Sequence, residues 1–306
     1  MLSGIWIPLV TPFKDGRVDL ASYRKLIGHY LDKGVSGLFP LGTTGEAPTL
    51  DDSEADAILE ATVAAVAGRV PVFVGIGGNA THKVIRAIKR AECYEFQGIV
   101  SVCPYYNRPT QDGLLRHFSA IAEATQRQIL IYNIPYRTSV NLANETLLRL
   151  AERPNIVGVK DSSGIIVQSL ELLAMKPKEF SVLTGDDPLF FALLCSGADG
   201  GILASAHIAT ERFVAIARLV AANNHQAARA NWVSLARLIP KLFQEANPMP
   251  IKHCLWRQGL IASPECRLPL CSVSPRLAAE LDEWLRLLSS PQIELHSCVH
   301  CHAVPR

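Results

Sequence analysis

Eight short, almost wholly apolar segments recur along this 306-residue chain at intervals of about 20 to 33 residues. Strands with one face in water alternate apolar and polar residues, so segments this apolar must be buried on both faces. Helix signals lie between them, and each segment is therefore predicted to be a parallel strand followed by a crossover helix. The predicted strands are residues 5–10, 37–42, 70–76, 98–103, 129–135, 155–160, 180–184 and 200–204.

Two of the intervening helices carry start signals. Asp51 with Glu54, and Asn141 with Glu145, are each typical of a capping box. Eight strands with helices between them predict an α/β fold, the (β/α)8 or TIM barrel.

The strand pattern stops after about residue 207. Amphipathic helical segments are predicted at 209–223, 225–243 and 274–290, with a proline-punctuated stretch between the last two. We therefore expect a barrel over 1–223 and a C-terminal helical region over 224–290. Residues 291–306 lack periodicity and are predicted to be a disordered tail.

Charge and hydropathy exclude two classes of partner. Thirty Lys and Arg against 28 Asp and Glu give a net charge of +2, without the dense basic face that nucleic-acid binding requires. No apolar run approaches the roughly 20 residues that span a bilayer. The first apolar stretch, residues 5–10, is short and lacks a basic leader, so we expect a cytoplasmic protein without membrane or nucleic-acid partners. The eight cysteines are scattered, as is typical of reduced thiols.

Lys160 closes the sixth apolar segment, and no other lysine of the chain ends such a segment. In a barrel of this kind the reactive side chains lie at the carboxyl ends of the strands. Burial there would disfavour the ammonium form and leave a neutral amine, which can attack a carbonyl carbon and form a Schiff base. An ion pair with Asp161, another carboxylate at the barrel mouth, or a bound phosphate are the alternative interpretations.

Hydroxyl groups and an arginine follow other segments. Tyr132 and Tyr106 lie at strand ends, and Thr43 and Thr44 occupy a tight turn between glycines. A chain of hydroxyls can relay protons, and Arg137 lies on a mouth loop where it suits bidentate recognition of a carboxylate. Taken singly, such tyrosines often cap the core, and such an arginine is often solvated.

Together these residues resemble, in order and spacing, the dihydrodipicolinate synthase (4-hydroxy-tetrahydrodipicolinate synthase) family of pyruvate-dependent class I aldolases. The resemblance covers about residues 1 to 285. The matching segments are Thr11–Phe13, Gly42–Glu46, Pro104–Pro109, Tyr132–Thr138, Gly158–Asp161, Asn247–Lys252 and Arg267–Leu270.

The resemblance implies condensation of pyruvate with aspartate 4-semialdehyde, a step of lysine and diaminopimelate biosynthesis. Lys160 would form the Schiff base, and Tyr132, Thr43 and Tyr106 would relay protons. In this family the residue matching Tyr106 enters the neighbouring subunit, which implies a homo-oligomer, a dimer of dimers. The resemblance implies no cofactor and no metal, because the lysine itself supplies the electron sink.

The resemblance also assigns substrate contacts. Thr44 would bind the pyruvate carboxylate, Arg137 the carboxylate of the semialdehyde, and Ile202 the keto acid through its backbone. Residues 198–202 look more like the sialic acid and keto-deoxy-sugar lyases, so a related pyruvate aldolase or lyase is an alternative. Arg137 favours the synthase, because the sugar-acid lyases usually lack this arginine and must accommodate a polyol instead.

Two further patterns point to other classes. Residues 75–80 fit the dinucleotide-binding pattern, but the next strand does not end in an acidic residue, which argues against an NAD-binding oxidoreductase. A non-catalytic binding protein would be favoured by loss of Lys160 or Tyr132, and both are present. Cys298, Cys301 and His302 formally match a haem-attachment pattern, with incidental zinc binding as an alternative.

The resemblance also predicts an enzyme insensitive to lysine. Two histidines that face the inhibitor in regulated relatives are replaced by Asp52 and Ala55, and a glutamate near its α-amino group is replaced by Lys83. That sign change at about 4 Å is worth several kcal/mol at an effective dielectric constant near 20. An inhibition curve with half-loss of activity at sub-millimolar lysine would contradict the prediction. The residues of this chain that match the lysine-binding site of regulated relatives are Ala47, Pro48, Asp52, Ala55, Asn79, Lys83 and Tyr105.

Overall fold

The structure is a computed structural model that describes residues 1–289, and all eight predicted strands are present in one parallel sheet. Their order is β2-β1-β8-β7-β6-β5-β4-β3, and a bridge between Leu38 and Val72 closes the sheet. The predicted (β/α)8 barrel is therefore confirmed. The strands are β1 (Gly4–Pro8), β2 (Gly37–Phe39), β3 (Phe73–Gly75), β4 (Gly98–Val102), β5 (Gln128–Asn133), β6 (Ile156–Asp161), β7 (Ser181–Thr184) and β8 (Gly200–Ile202).

The strands bury side chains on both faces of the sheet. Along β4, Ile99 packs in the layer between the barrel and its helices, whereas Val100 belongs to the cluster inside the barrel. In that inner cluster Trp6 and Phe73 meet edge to face, with ring centroids 5.2 Å apart. Burial on two sides explains why the strand segments are apolar throughout, without alternation.

Helices follow every strand, and further helices extend the chain beyond the barrel. Within residues 1–289 they are α1 (Leu20–Asp32), α2 (Asp52–Val66), α3 (Thr81–Ala91), α4 (Gln111–Glu123), α5 (Pro135–Thr138), α6 (Asn144–Ala151), α7 (Ile166–Met175), α8 (Phe190–Cys195), α9 (Thr210–Ala221), α10 (His225–Leu242), α11 (Met249–Arg257) and α12 (Pro275–Ser289). Short 3₁₀ helices span Ala47–Thr49, Asp187–Leu189 and Ser205–His207, and a hairpin pairs Phe13–Lys14 with Arg17–Val18.

One of the two predicted capping boxes is correct. Asp51 accepts from the Glu54 amide at 2.8 Å, and Glu54 accepts from the Asp51 amide at 3.1 Å. The prediction for Asn141 was wrong, because α6 is preceded by Ala143 without a side-chain cap. The Asn141 side chain instead bonds Asn133 at 2.8 Å, so a tertiary contact outcompetes the local cap.

Helix α11 was not predicted, because it lies in the proline-punctuated stretch between the last two predicted helices. Pro250 falls in its first turn, where the missing backbone N–H has no helical partner in any case. The predicted helices at 209–223, 225–243 and 274–290 correspond to α9, α10 and α12.

The C-terminal helices share the hydrophobic core of the barrel. Leu235 and Leu242 of α10 and Leu255 of α11 belong to the same buried cluster as the barrel's outer layer. The division of the chain at residue 223 stays a prediction, and the tail proposed over 291–306 lies outside the described residues. Among the helices described, none has the length and apolarity to cross a membrane.

Candidate active site

Lys160 ends β6 and points into the barrel mouth, where its side chain is buried, with 5% of the residue exposed. Its Nζ lies 4.2 Å from the ring centroid of Tyr132 and 5.2 Å from that of Phe39. A Cβ at Gly185 would come within 2.5 Å of Lys160 Cε, so this glycine makes room for the lysine stem. The lysine is therefore surrounded by aromatic rings and backbone rather than by water.

Burial lowers the pKa of Lys160 from its ordinary value of 10.5 to about 7. Attraction from Asp187 opposes this shift, and repulsion from Arg137 adds to it. The alternative pairing with Asp161 is not formed, because that carboxylate accepts from the Ser163 amide at 3.0 Å and from a serine hydroxyl. Near neutral pH much of Lys160 is thus an uncharged amine, the form that attacks carbonyl carbon.

Tyr132 is the neighbour of Lys160 in the strand register and is also buried. Burial raises the pKa of its phenol above the ordinary value, while the hydroxyls of Ser162 and Thr43 act in the opposite direction. The phenol therefore keeps its proton at neutral pH. It can donate that proton to an oxygen atom that becomes negative beside Lys160.

The Thr43–Thr44 turn forms another wall of the cavity. Thr44 is buried, and its hydroxyl accepts from the side-chain amide of Asn247 at 2.9 Å. The turn is closed by the Gly45 amide, which donates to the Gly42 carbonyl at 3.1 Å. Two hydroxyl groups thus face the space in front of the amine.

Arg137 lies at the outer rim of the same cavity, on the short helix α5. Its Nε donates to the Tyr136 hydroxyl at 2.9 Å, and its guanidinium carbon lies 5.0 Å from the centroid of that ring. No ion pair is found between Arg137 and any carboxylate of residues 1–289. Its charge is therefore available to an anion at the mouth.

Six of the seven predicted site residues line one cavity. They are Thr43, Thr44, Tyr132, Arg137, Lys160 and the buried Ile202 at the end of β8. Tyr106 is the exception: it is 90% exposed, does not line the cavity, and has a left-handed φ of 73°. The single chain does not bring it to the other hydroxyls.

Asp187 and Asn247 were missed by the sequence reasoning. Asp187 is buried in the cavity wall, its carboxylate accepts from the Ser205 amide at 2.7 Å, and burial raises its pKa to about 6. It follows β7, so the strand-end rule could have found it. Asn247 comes from outside the barrel, about 200 residues from its partner Thr44. It begins one of the segments that match the family, but nothing in the residues around it indicates a contact with Thr44.

The glycines of the dinucleotide-like pattern serve packing. A Cβ at Gly75 would lie 2.1 Å from the Leu41 carbonyl oxygen, and one at Gly77 would lie 2.7 Å from a methyl carbon of Val102. Among residues 1–289 no group of three or more His, Cys, Asp or Glu is placed to hold a metal ion. The Cys298–His302 pattern lies outside the described residues.

The barrel and its cavity define an enzyme of the class I aldolase type, in which a buried lysine amine faces hydroxyl groups. The model of the dihydrodipicolinate synthetase family matches residues 1–287. The chain is 51% identical over 284 residues to 4-hydroxy-tetrahydrodipicolinate synthase 2 of Clostridium acetobutylicum, covering 93% of this chain and 99% of that one.

Solved structures agree with this match. The dihydrodipicolinate synthase of Thermotoga maritima superposes with a TM-score of 0.92 at 37% identity, covering 94% of this chain and 98% of that one. The chloride-inhibited enzyme of Acinetobacter baumannii complexed with pyruvate gives 0.90 at 36% identity, covering 94% and 98%. The chain belongs to the dihydrodipicolinate synthetase family, and the resemblance inferred from its sequence is confirmed.

Replacing Lys160 with Met should stabilise the fold at neutral pH. The unfolded chain binds a proton at this lysine up to pH 10.5, whereas the folded chain releases it near pH 7. The burial cost is therefore full below about pH 7 and declines as the pH rises toward 10.5. We expect Lys160→Met to gain at least ~1 kcal/mol in free energy of unfolding at pH 7, measured by urea denaturation, and to lose the gain near pH 10.

Lys89→Met, at an exposed position on α3, is the control. A Lys160→Met protein less stable than wild type at pH 7 would contradict the burial argument.

Proposed function

We propose that this protein is a 4-hydroxy-tetrahydrodipicolinate synthase, which condenses pyruvate with aspartate 4-semialdehyde through a Schiff base on Lys160. The observation that carries the proposal is the Lys160 amine buried at the barrel mouth, 4.2 Å from the centroid of the Tyr132 ring and in one cavity with Thr43, Thr44 and Arg137. Burial there lowers its pKa to about 7. The relatives named above add support, one of them solved with pyruvate.

The first step joins Lys160 Nζ to the keto carbon of pyruvate. The carbonyl oxygen takes one proton from the attacking amine and one from the Tyr132 phenol and leaves as water, which gives a cationic imine and a Tyr132 phenolate. The buried carboxylate of Asp187 lies in the same cavity wall and supplies an opposite charge for that cation. The Tyr132 phenolate then takes a methyl proton, which restores the phenol and converts the imine into a neutral enamine, and the former C=N electron pair returns to the lysine nitrogen.

The second step joins the enamine carbon to the aldehyde carbon of the semialdehyde. Tyr132 and Thr43 line the cavity, and we expect the Tyr132 phenol, assisted by the Thr43 hydroxyl, to protonate the alkoxide that forms. The amino group of the semialdehyde then attacks the imine carbon, closes the ring and releases Lys160. The amine is regenerated, so no other electron sink is required.

The carboxylates of the two substrates are proposed to bind at two different places in the cavity. Thr44 offers a hydroxyl and a backbone N–H to the pyruvate carboxylate deep in the cavity, where the Ile202 backbone also lies. Arg137 lies at the rim, and its guanidinium suits the carboxylate of the second, larger substrate. A charged rim favours the semialdehyde over the polyol chain of a sugar acid.

The active form is proposed to be a dimer of dimers. Tyr106 projects into solvent on a strained loop, which suits a residue that completes the proton relay of a neighbouring subunit. Helix α7 exposes Ile166, Val167, Leu170 and Met175, an apolar face that fits a second contact between copies. The cytoplasmic location and the absence of nucleic-acid partners stay predictions.

A coupled assay of pyruvate with aspartate semialdehyde, run beside sialic acid and keto-deoxy-gluconate cleavage, tests the substrate assignment.

Arg137→Ala should raise the KM for the semialdehyde much more than the KM for pyruvate. Loss of a bidentate, charge-assisted contact costs roughly 2–4 kcal/mol of transition-state binding. Arg116→Ala is the matched control, because Arg116 is exposed on α4 and pairs with Asp112. Equal losses for both substrates, or faster cleavage of either sugar acid than synthase turnover, would contradict the assignment.

A further inference from the structure

A buried ion pair lies directly behind the Thr43–Thr44 turn. Glu46, which ends the turn, is 3% exposed, and Lys252 of α11 is completely buried. The Lys252 ammonium contacts Glu46 Oε1 and donates to the Glu265 carbonyl at 2.8 Å. The second carboxylate oxygen of Glu46 accepts from the Arg267 amide at 2.9 Å.

The ion pair is surrounded by residues of three segments that match the family but supply no group to the proposed reaction: those of Phe13, Lys252 and Arg267. Phe13 covers it, with Lys252 Nζ 4.2 Å and the Arg267 guanidinium carbon 4.4 Å from its ring centroid. Arg267 also pairs with Glu54 in the first turn of α2. One charged cluster thus holds four parts of the chain together: the hairpin that begins at Phe13, the Thr43–Thr44 turn, α11, and the loop after α11.

The same cluster fixes the backbone of the turn. Glu46 has a φ of 52°, a left-handed conformation that non-glycine residues adopt only when their surroundings hold them there. The Thr11 hydroxyl donates to the Gly45 carbonyl at 2.7 Å, and Asn247 donates to the Thr44 hydroxyl at 2.9 Å. Three consecutive residues of the turn are therefore held from outside it.

Stability alone is a weak reason for this arrangement. A buried ion pair loses most of its hydration, and apolar residues of similar size often stabilise a fold as well or better. Burial lowers the pKa of Lys252, and the attraction and hydrogen bond of Glu46 oppose that shift. What the pair supplies, and apolar residues do not, is a directional contact that sets the position of Glu46.

We propose that Glu46 and Lys252 are positioning residues for pyruvate: their ion pair holds the Thr43–Thr44 turn so that Thr44 meets the substrate carboxylate. This inference rests on the proposed function. It makes the C-terminal helices part of the pyruvate site, although neither charged group contacts the substrate.

The test compares Glu46→Gln with the double variant Glu46→Gln/Lys252→Met. The readouts are the pyruvate concentration for half-maximal borohydride trapping on Lys160, the KM for the semialdehyde, and the free energy of unfolding. Glu46→Gln should raise the pyruvate value at least about tenfold and change the semialdehyde KM less than about threefold. The double variant should regain stability, because no unpaired charge stays buried, but should not regain pyruvate affinity.

Two further variants keep the result interpretable. Lys176→Met removes a partly buried partner of Asp199, 3.1 Å away at the opposite end of the barrel, and should reduce stability without changing the pyruvate value. Thr11→Val removes only the hydroxyl that holds Gly45, and should raise the pyruvate value about threefold even if the charge variants do not fold.

The outcomes separate this inference from the proposed function. Wild-type protein that is not trapped by pyruvate contradicts the function itself. Saturable trapping in wild type, with unchanged pyruvate values in Glu46→Gln and Thr11→Val, overturns the positioning role alone. A double variant that regains both stability and pyruvate affinity also overturns it, since the pair would then serve stability only.

Discussion

The chemistry proposed for this site depends on the removal of the Lys160 ammonium from water. Its side chain lies between aromatic rings at the barrel mouth, in space that Gly185 leaves open. The free energy lost by the charged form is what makes the amine a nucleophile near neutral pH. The same burial keeps the Tyr132 phenol protonated, so one dry environment prepares both the attacking base and the acid beside it. Attraction from Asp187 opposes the lowering of the Lys160 pKa, and its carboxylate would be the counter-charge for the cationic imine that we propose.

The barrel provides this environment because eight strands end at one rim, each presenting a different side chain to the same small space. Residues from outside the barrel also hold the Thr43–Thr44 turn in place. Asn247 contacts Thr44 from the segment before α11, and Lys252 contacts Glu46 from within it. The helices after the barrel therefore brace the turn that we propose binds pyruvate. A truncation after the eighth βα unit would remove these contacts along with part of the shared core.

Much of the fold could be predicted because the apolar strand segments, and the polar residues that end them, are recognisable from consecutive residues. Burial on both faces makes every strand recognisable, and the strand-end rule locates Lys160, Tyr132 and the threonine turn. What escaped prediction depends on distant partners. Asn141 bonds Asn133 instead of capping α6, and α11 begins among prolines that its first turn tolerates. Tyr106 follows a strand as the other predicted site residues do, yet it is exposed and lies away from their hydroxyls, an outcome that the strand-end rule does not predict.

The most direct measurement is borohydride reduction of the protein in the presence of pyruvate, followed by peptide mass analysis across a pH series. We expect a reduced pyruvyl adduct on Lys160, loss of activity in proportion to its yield, and a rate of adduct formation that rises with pH through about 7. An adduct on a different lysine, or no adduct at saturating pyruvate, would contradict the central claim.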